Sequence, residues 1–512
     1  MHSNTDYRFS LPAERVPLLV VTLFLLLFLL PTPVLAISDL LVGAFIDDGV
    51  SALARGGLEE LPRRQQTLDF NAPLFLNSDG KFRIETGYEH QRTVRIYSGR
   101  WAGTHAWSDR LESAAAAPFS LFDGRLKGSA AAGYGWRSLD ALGENDGERL
   151  KITDQVNLES WKGGLYLQAV DRLFLGVSLI SDNLRQGLQV PVEAEVAPLS
   201  FLRVGYKHSY LDNLVANFNA VLDTDSASLT IKDLEEINEL YLVVDYPEVI
   251  YLRFANELKE SANRRVEGKL YLPWSLYLTG DYARRDYAGI DEEITVNGSA
   301  GGKVEGNFFR KEYRVGTGAV LGERWTVEAN YRHQDFSSEG GGVASSRAVT
   351  SFWPSLLLGN YNYLYFAELS GDQYHLGGEY RGERFSFGLG MQYLDLKPQA
   401  NLDYWRSVLF GLGKTGAGNL DLTFDRVQML FFSLGLGYRW KNTELRYAFG
   451  QFVPISLHDT SKSATVATGS GGTGSAGGGT GGGGGGFFSS VGDKFTHNPG
   501  GNIQRVLLTI TF

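Results

Sequence analysis

The chain has no cysteine. That excludes disulfides, thiolate metal sites, covalently attached c-type haem and a cysteine-linked lipid anchor on this polypeptide. It has no basic excess either: 48 Lys and Arg stand against 58 Asp and Glu, a net charge of −10, which argues against a nucleic-acid binder. Beyond the first 36 residues no stretch reaches 18 consecutive apolar residues, so no later segment can cross a bilayer as a helix. What is plentiful is glycine (62 residues) and aromatics (30 Phe, 25 Tyr, 9 Trp) in a chain of 512. That pairing is unusual for a soluble enzyme of this length and suits sheets that meet lipid through an aromatic surface.

The N-terminus reads as an address. Arg8 and Arg15 precede an apolar run from Val16 to Leu30, and the run closes in Pro31, Thr32, Pro33, Val34, Leu35 and Ala36. A basic start, a short greasy core and small residues at Val34 and Ala36 describe a secretory signal peptide over residues 1–36, removed after Ala36. An uncleaved anchor helix is the alternative.

The remainder alternates. Trp325, Val327, Ala329 and Tyr331 fall on one face of an extended chain, and Thr326, Glu328, Asn330 and Arg332 on the other. The same holds for Phe385, Phe387, Leu389, Met391 and Tyr393 against Ser386, Gly388, Gly390 and Gln392. Leu202, Val204 and Tyr206 likewise oppose Arg203, Gly205 and Lys207. A period of two marks strands with two unlike faces. A soluble sandwich also alternates, but here the apolar face begins or ends in Trp or Tyr (Trp274 and Tyr282, Trp325 and Tyr331, Tyr438 and Trp440). That is where girdles at two membrane interfaces belong.

The chain ends Val506-Leu507-Leu508-Thr509-Ile510-Thr511-Phe512. A terminal Phe512 with Ile510, Leu508 and Val506 at alternate positions resembles the closing strand of Gram-negative outer-membrane β-barrel proteins. The resemblance implies an all-β fold: a transmembrane antiparallel up-and-down barrel, porin-like, in the cell outer membrane, surrounded by lipid. It also implies that these four residues are the signal read by the barrel-assembly machinery.

Turn residues give the count. Lys441-Asn442, Gly382-Glu383, Gly322-Glu323, Pro273, Pro247, Asp223 to Asp225, Pro198 and Asp171-Arg172 each separate two alternating runs by a few residues, and these are turn-forming types. Taken as the periplasmic ends, they predict sixteen strands between Leu173 and Phe512. Phe82 to Val170 then supplies two or four more, because alternation fades between Ser113 and Asp146. The expectation is 18 strands, within 16 to 20, over residues 81–512. Longer outer segments follow at 287–305, 337–371, 397–426 and 455–502. The last contains the glycine tract Gly469 to Gly486, which behaves as flexible coil. The aromatic stretch Phe352 to Tyr365 either folds inward or extends the wall.

The same register assigns lumen-facing charges. The basic ones are Arg203, Lys207, Arg253, Arg285, Arg310, Arg314, Arg332, Arg381, Arg439 and Arg446, and the acidic ones Glu257, Asp281, Glu312, Glu328, Glu379 and Glu444. Ten against six predicts a mildly anion-preferring pore lining, since rings of charge set selectivity. The alternative is that Arg and Glu pair across the wall and brace it.

Residues 37–80 form a separate N-terminal segment. Ser38 can cap a short helix over Ser38 to Leu61, which either plugs the lumen from the periplasm or rests at the barrel mouth. Enzymatic chemistry has little support. His208-Ser209 and His458-Asp459 are the nearest candidate pairs, and adjacent strand residues point to opposite faces. No cofactor and no metal ligand set is implied. Transport or export across the outer membrane is the functional expectation, with a periplasmic or export-complex partner. A structural or surface-binding barrel, or a sleeve around an electron-transfer multihaem protein, is the alternative.

Overall fold

A computed structural model describes residues 68–512 apart from 77–79, 93–100, 146–149, 170–171, 184–187, 211–215, 223–224, 232–235, 260–262, 297–298, 323, 345–357, 409–412, 460–464 and 467–501. The strands are β1 (Arg83–Arg92), β2 (Trp101–Leu121), β3 (Leu126–Asn145), β4 (Leu150–Ala169), β5 (Leu173–Asp182), β6 (Val192–Leu199), β7 (Leu202–Tyr210), β8 (Ala216–Leu222), β9 (Asp225–Ile231), β10 (Glu236–Tyr246) and β11 (Ile250–Glu257). They continue as β12 (Arg264–Tyr271), β13 (Leu276–Val296), β14 (Ser299–Leu321), β15 (Trp325–Ala344), β16 (Leu358–Arg381), β17 (Phe385–Val408), β18 (Gly413–Trp440), β19 (Thr443–Asp459), β20 (Thr465–Val466) and β21 (Asn502–Thr511). Helical structure among the described residues is limited to two 3-10 turns, Pro73–Phe75 and Pro273–Ser275. The expected helix at Ser38 to Leu61 lies outside the described residues.

Every pairing is antiparallel, and the sheet closes. β1 pairs with β2 on one side and with β21 on the other, Arg83 opposite Thr511 and Arg92 opposite Asn502. Closure removes the sheet edges that would otherwise expose unpaired backbone. Eighteen strands form the ring, because β7 passes directly to β10 and β19 directly to β21.

The expected total is right and its composition is not. The β8–β9 hairpin does not enter the ring at the level of its neighbours. β8 pairs with the far end of β4, Leu150 opposite Leu222, and β9 with the far end of β13, Val296 opposite Ala227. It bridges the wall above the short strands β5, β6, β7, β10, β11 and β12, so Asp223 to Asp225 is not a periplasmic turn. The ring therefore takes fourteen strands after Leu173, and β1–β4 supply four. The outer segments also differ from expectation. Most of 287–305 and 397–426 is paired strand in β13–β14 and β17–β18. Tyr361 to Tyr365 pairs on both sides, with β15 and β17, and so extends the wall.

The outer surface of the ring is apolar and exposed. Leu278, Val315, Val327, Leu376 and Leu389 are 38% to 57% exposed. Aromatic pairs border this band. At the closed-turn end stand Phe82 with Phe512 (ring centroids 5.6 Å apart), Trp325 with Tyr380 (5.0 Å) and Phe385 with Tyr438 (4.8 Å). Toward the other end run Tyr313, Tyr331, Tyr374 and Tyr393, successive centroids 6.0, 5.2 and 6.2 Å apart. Val506, Leu508 and Ile510 share the outward face of β21 with Phe512, which is 64% exposed.

Candidate functional site: the inner wall

The inner face divides into three sectors. The largest runs from β6 to β16 and is charged. Alternation places Arg203, Lys207, Arg253, Arg285, Arg310, Glu312, Arg314, Glu328 and Arg332 on the face opposite the exposed apolar residues. Arg381, Arg439 and Arg446, with Glu379 and Glu444, stand near the closed-turn ends of β16, β18 and β19. Many of these side chains are in ion pairs. Glu267 sits between Arg265 (2.6 Å) and Arg253 (3.6 Å), and Asp281 between Arg265 (3.3 Å) and Arg314 (3.7 Å). Glu312 joins Arg332 (2.8 Å) and Arg310 (3.1 Å), and Glu444 joins Arg446 (2.6 Å) and Arg439 (3.1 Å). Arg381 meets Glu379 at 3.3 Å, and Arg203 lies between Asp245 (3.3 Å) and Glu195 (3.6 Å).

Several carboxylates of this sector are deeply buried, whereas Arg381 and Arg439 at the closed-turn ends are about half exposed. Glu267 is 2% exposed, Glu257 3% and Glu328 3%. A buried carboxylate without a partner carries a large desolvation cost, which is why each is hydrogen-bonded. Tyr277 donates its hydroxyl to Glu328 at 3.0 Å. Asn263 donates to Glu257 at 2.8 Å. The Tyr241 hydroxyl lies 3.2 Å from both Glu193 and Glu195, and the Arg253 guanidinium sits over its ring at 5.0 Å. Glu193, Glu195, Arg265 and Glu267 are inner-wall charges that the turn-based register missed. The alternation signal for them was present in Val192 to Val196 and Arg264 to Tyr271.

The second sector, β2 to β5, has small inner residues, and the chain's own N-terminal segment lies against it. Phe70 (4% exposed) and Leu76 (0%) pack with Ala116, Ala131, Tyr166 and Ile180. The glycines opposite have no room for a side chain. A Cβ at Gly176 would meet the Pro73 carbonyl carbon at 2.6 Å, one at Gly133 the Phe70 ring at 2.9 Å, and one at Gly164 would run into Leu76. Hydrogen bonds fix the segment. The Leu68 N–H donates to Glu85 at 2.6 Å, the Ser129 hydroxyl donates to the Leu76 carbonyl, and the Leu74 N–H donates to Glu193. Glu193 thus touches both the segment and the charged sector.

The third sector is apolar and was not foreseen. Leu394 and Leu396 on β17, Met429 and Phe431 on β18, Phe452 on β19 and Ile503 on β21 point inward and are 0% to 2% exposed. The Phe431 and Phe452 rings lie 4.5 Å apart. The available sign was the unbroken run Met429-Leu430-Phe431-Phe432, because a strand buried on both faces loses its alternation.

Neither candidate catalytic pair forms a site among the described residues. His208 faces outward, with Nδ1 2.9 Å from Asn238 Oδ1 and Nε2 3.2 Å from the Tyr210 hydroxyl, whereas Ser209 is buried on the other face. The side chains of His458 and Asp459 lie outside the described residues.

The fold and its surfaces define a class: a closed antiparallel barrel, apolar outside between two aromatic borders and charged within. No family model matches the chain, and no curated protein matches it. Among solved structures it is similar to OccK5 of Pseudomonas aeruginosa (10% identity, 84% of this chain and 98% of that one, TM-score 0.33). It is also similar to a FadL homologue of Pseudomonas aeruginosa (9% identity, 90% and 97%, TM-score 0.35) and to OmpT, an outer membrane protein of Vibrio cholerae (8%, 85% and 99%, TM-score 0.29).

Proposed function

We propose that the protein is an outer-membrane channel through which solutes cross by way of the charged lumen, with residues 68–76 narrowing one side of it. The observation that carries this reading is the inversion of ordinary burial: exposed leucines and valines outside and buried Arg and Glu inside, around one closed ring. A bilayer accounts for that exterior, because its hydrocarbon covers the apolar side chains and the closed sheet leaves no strand edge unpaired within it. Ring size supports a passage, since barrels of 16 to 18 strands enclose more than their own side chains fill. Arg203, Lys207, Arg253, Arg285, Arg310, Arg314, Arg332, Arg381, Arg439 and Arg446, with Glu312 and Glu328 among them, are the proposed pore lining. With Glu193, Glu195, Glu267, Asp245 and Arg265 counted as well, the lining is nearly balanced, eleven basic against ten acidic residues, and the small positive excess that remains favours anionic solutes. Val506, Leu508, Ile510 and Phe512 are the proposed assembly signal.

The test is single-channel recording of the refolded full chain in planar bilayers, with the reversal potential measured in a KCl gradient. The expected result is a stable conductance with chloride preferred over potassium. Cation preference overturns the lining assignment and leaves the channel. Absence of conductance in protein shown to be inserted overturns the channel in favour of a structural barrel.

A further inference from the structure

On the outer face, directly above the second aromatic border, three cations stand abreast. Register pairs Arg264 on β12 with Arg284 on β13, and Arg284 with Lys311 on β14. The row nearer the closed turns is Val266, Tyr282 and Tyr313, and the next is Gly268, Gly280 and Val315. Outward positions along these strands therefore run from apolar through aromatic to cationic within a few residues.

Like charges placed directly opposite each other in an antiparallel pair repel, and here two such pairs are consecutive. Local carboxylates do not relieve both. Asp286 takes Arg284 at 3.2 Å. Asp335, opposite Lys311 in register, is engaged by His333 at 3.1 Å and by the Ser370 hydroxyl at 2.8 Å. Asp372 is held by His333 and the Tyr331 hydroxyl. Neither Arg264 nor Lys311 makes an ion pair among the described residues. Instead the guanidinium of Arg264 lies over the Tyr282 ring at 5.7 Å and that of Arg284 over the Phe309 ring at 5.6 Å. Stacking on a ring holds each guanidinium in a fixed pose, and that of Arg264 meets no carboxylate among the described residues, which leaves its N–H edge to an anion.

We propose that Arg264, Arg284 and Lys311 bind the phosphate-bearing headgroup of an anionic membrane lipid on the outside of the barrel. The inference rests on the membrane reading above. Strand spacing sets the backbones of neighbouring members of the row about 5 Å apart, so their long side chains reach one lipid headgroup. The aromatic row below places that phosphate at the depth where headgroups begin. Juxtamembrane cations attract anionic lipid in this way.

The experiment reconstitutes the full chain into phosphatidylcholine vesicles doped with phosphatidic acid and measures co-purifying phosphatidic acid by mass spectrometry after detergent extraction. The triple variant Arg264→Gln, Arg284→Gln, Lys311→Gln is compared with Arg324→Gln, Arg384→Gln, Lys441→Gln at the closed-turn end. Folding of both is checked by the heat-dependent gel shift of an intact barrel. The expected result is loss of bound phosphatidic acid by about tenfold in the first variant and little change in the second. Equal retention by both variants, or equal loss, overturns the site. Stripping of the lipid by inorganic phosphate alone overturns a membrane-held headgroup in favour of free phosphate. Failure of the natural chain to insert into vesicles overturns the membrane reading itself, whereas insertion without lipid preference overturns only this site.

Discussion

The inner walls of β2–β5 and of β6–β16 are built on opposite principles within one barrel. The first lines the lumen with Ala, Ser and Gly, and a piece of the same chain fills the space they leave. The second lines it with Arg and Glu that satisfy one another along a strand and across neighbouring strands. A wall that meets protein is made of small residues and is held by packing. A wall left to face the passage is made of charges and is held by ion pairs. Glu193 is the seam, bonded to the Leu74 N–H on one side and to Tyr241 on the other.

Breaking an ion pair on the charged wall is the strongest way to probe the contrast. Glu267→Ala leaves Arg253 and Arg265 without their shared carboxylate and is expected to cost about 3–5 kcal/mol, read by urea unfolding of the barrel in lipid vesicles. On the packed wall, Gly176→Val pushes a side chain into the Pro73 backbone. It is expected to weaken seating of residues 68–76 by about 1–3 kcal/mol while the strands stay paired, seen as faster amide exchange confined to that segment. At the seam, Tyr241→Phe removes the hydroxyl between Glu193 and Glu195. A loss of about 1–2 kcal/mol is expected, with faster exchange at Leu74 as the sign that the two walls are coupled. The smallest effect is expected from the glycine tract Gly469 to Gly486, which lies outside the described residues. Deleting it is expected to change unfolding stability by less than about 0.5 kcal/mol, because shortening a segment of that composition changes closure entropy little.

The two walls also differ in how well the sequence exposes them. The charged wall alternates cleanly, as in Trp325 to Arg332, because one face meets apolar surroundings and the other carries charge; the pore-lining candidates follow from that rule. The packed wall hides its strands. Between Ser113 and Asp146 the inward positions Ala114, Ala116 and Ala131 are as apolar as the outward ones, because they face the N-terminal segment instead of water. Alternation cannot report a strand buried on both sides. The same physics concealed the apolar sector at Met429 and Phe431. Local turn chemistry does not distinguish a periplasmic turn from a hairpin high on the wall, so it groups Asp223 to Asp225 with the periplasmic ends; the pairing of β8 with β4 and of β9 with β13 puts that hairpin at the opposite end.

The most direct test of the two-wall account uses the absence of cysteine. A chain carrying Leu76→Cys and Gly164→Cys is compared, after oxidation in membranes, with one carrying Leu76→Cys and Gly377→Cys, the latter glycine lying on β16 in the charged wall. The account requires an intramolecular crosslink in the first chain and none in the second. Crosslinking of both chains alike, or of the second alone, contradicts a segment seated on β2–β5.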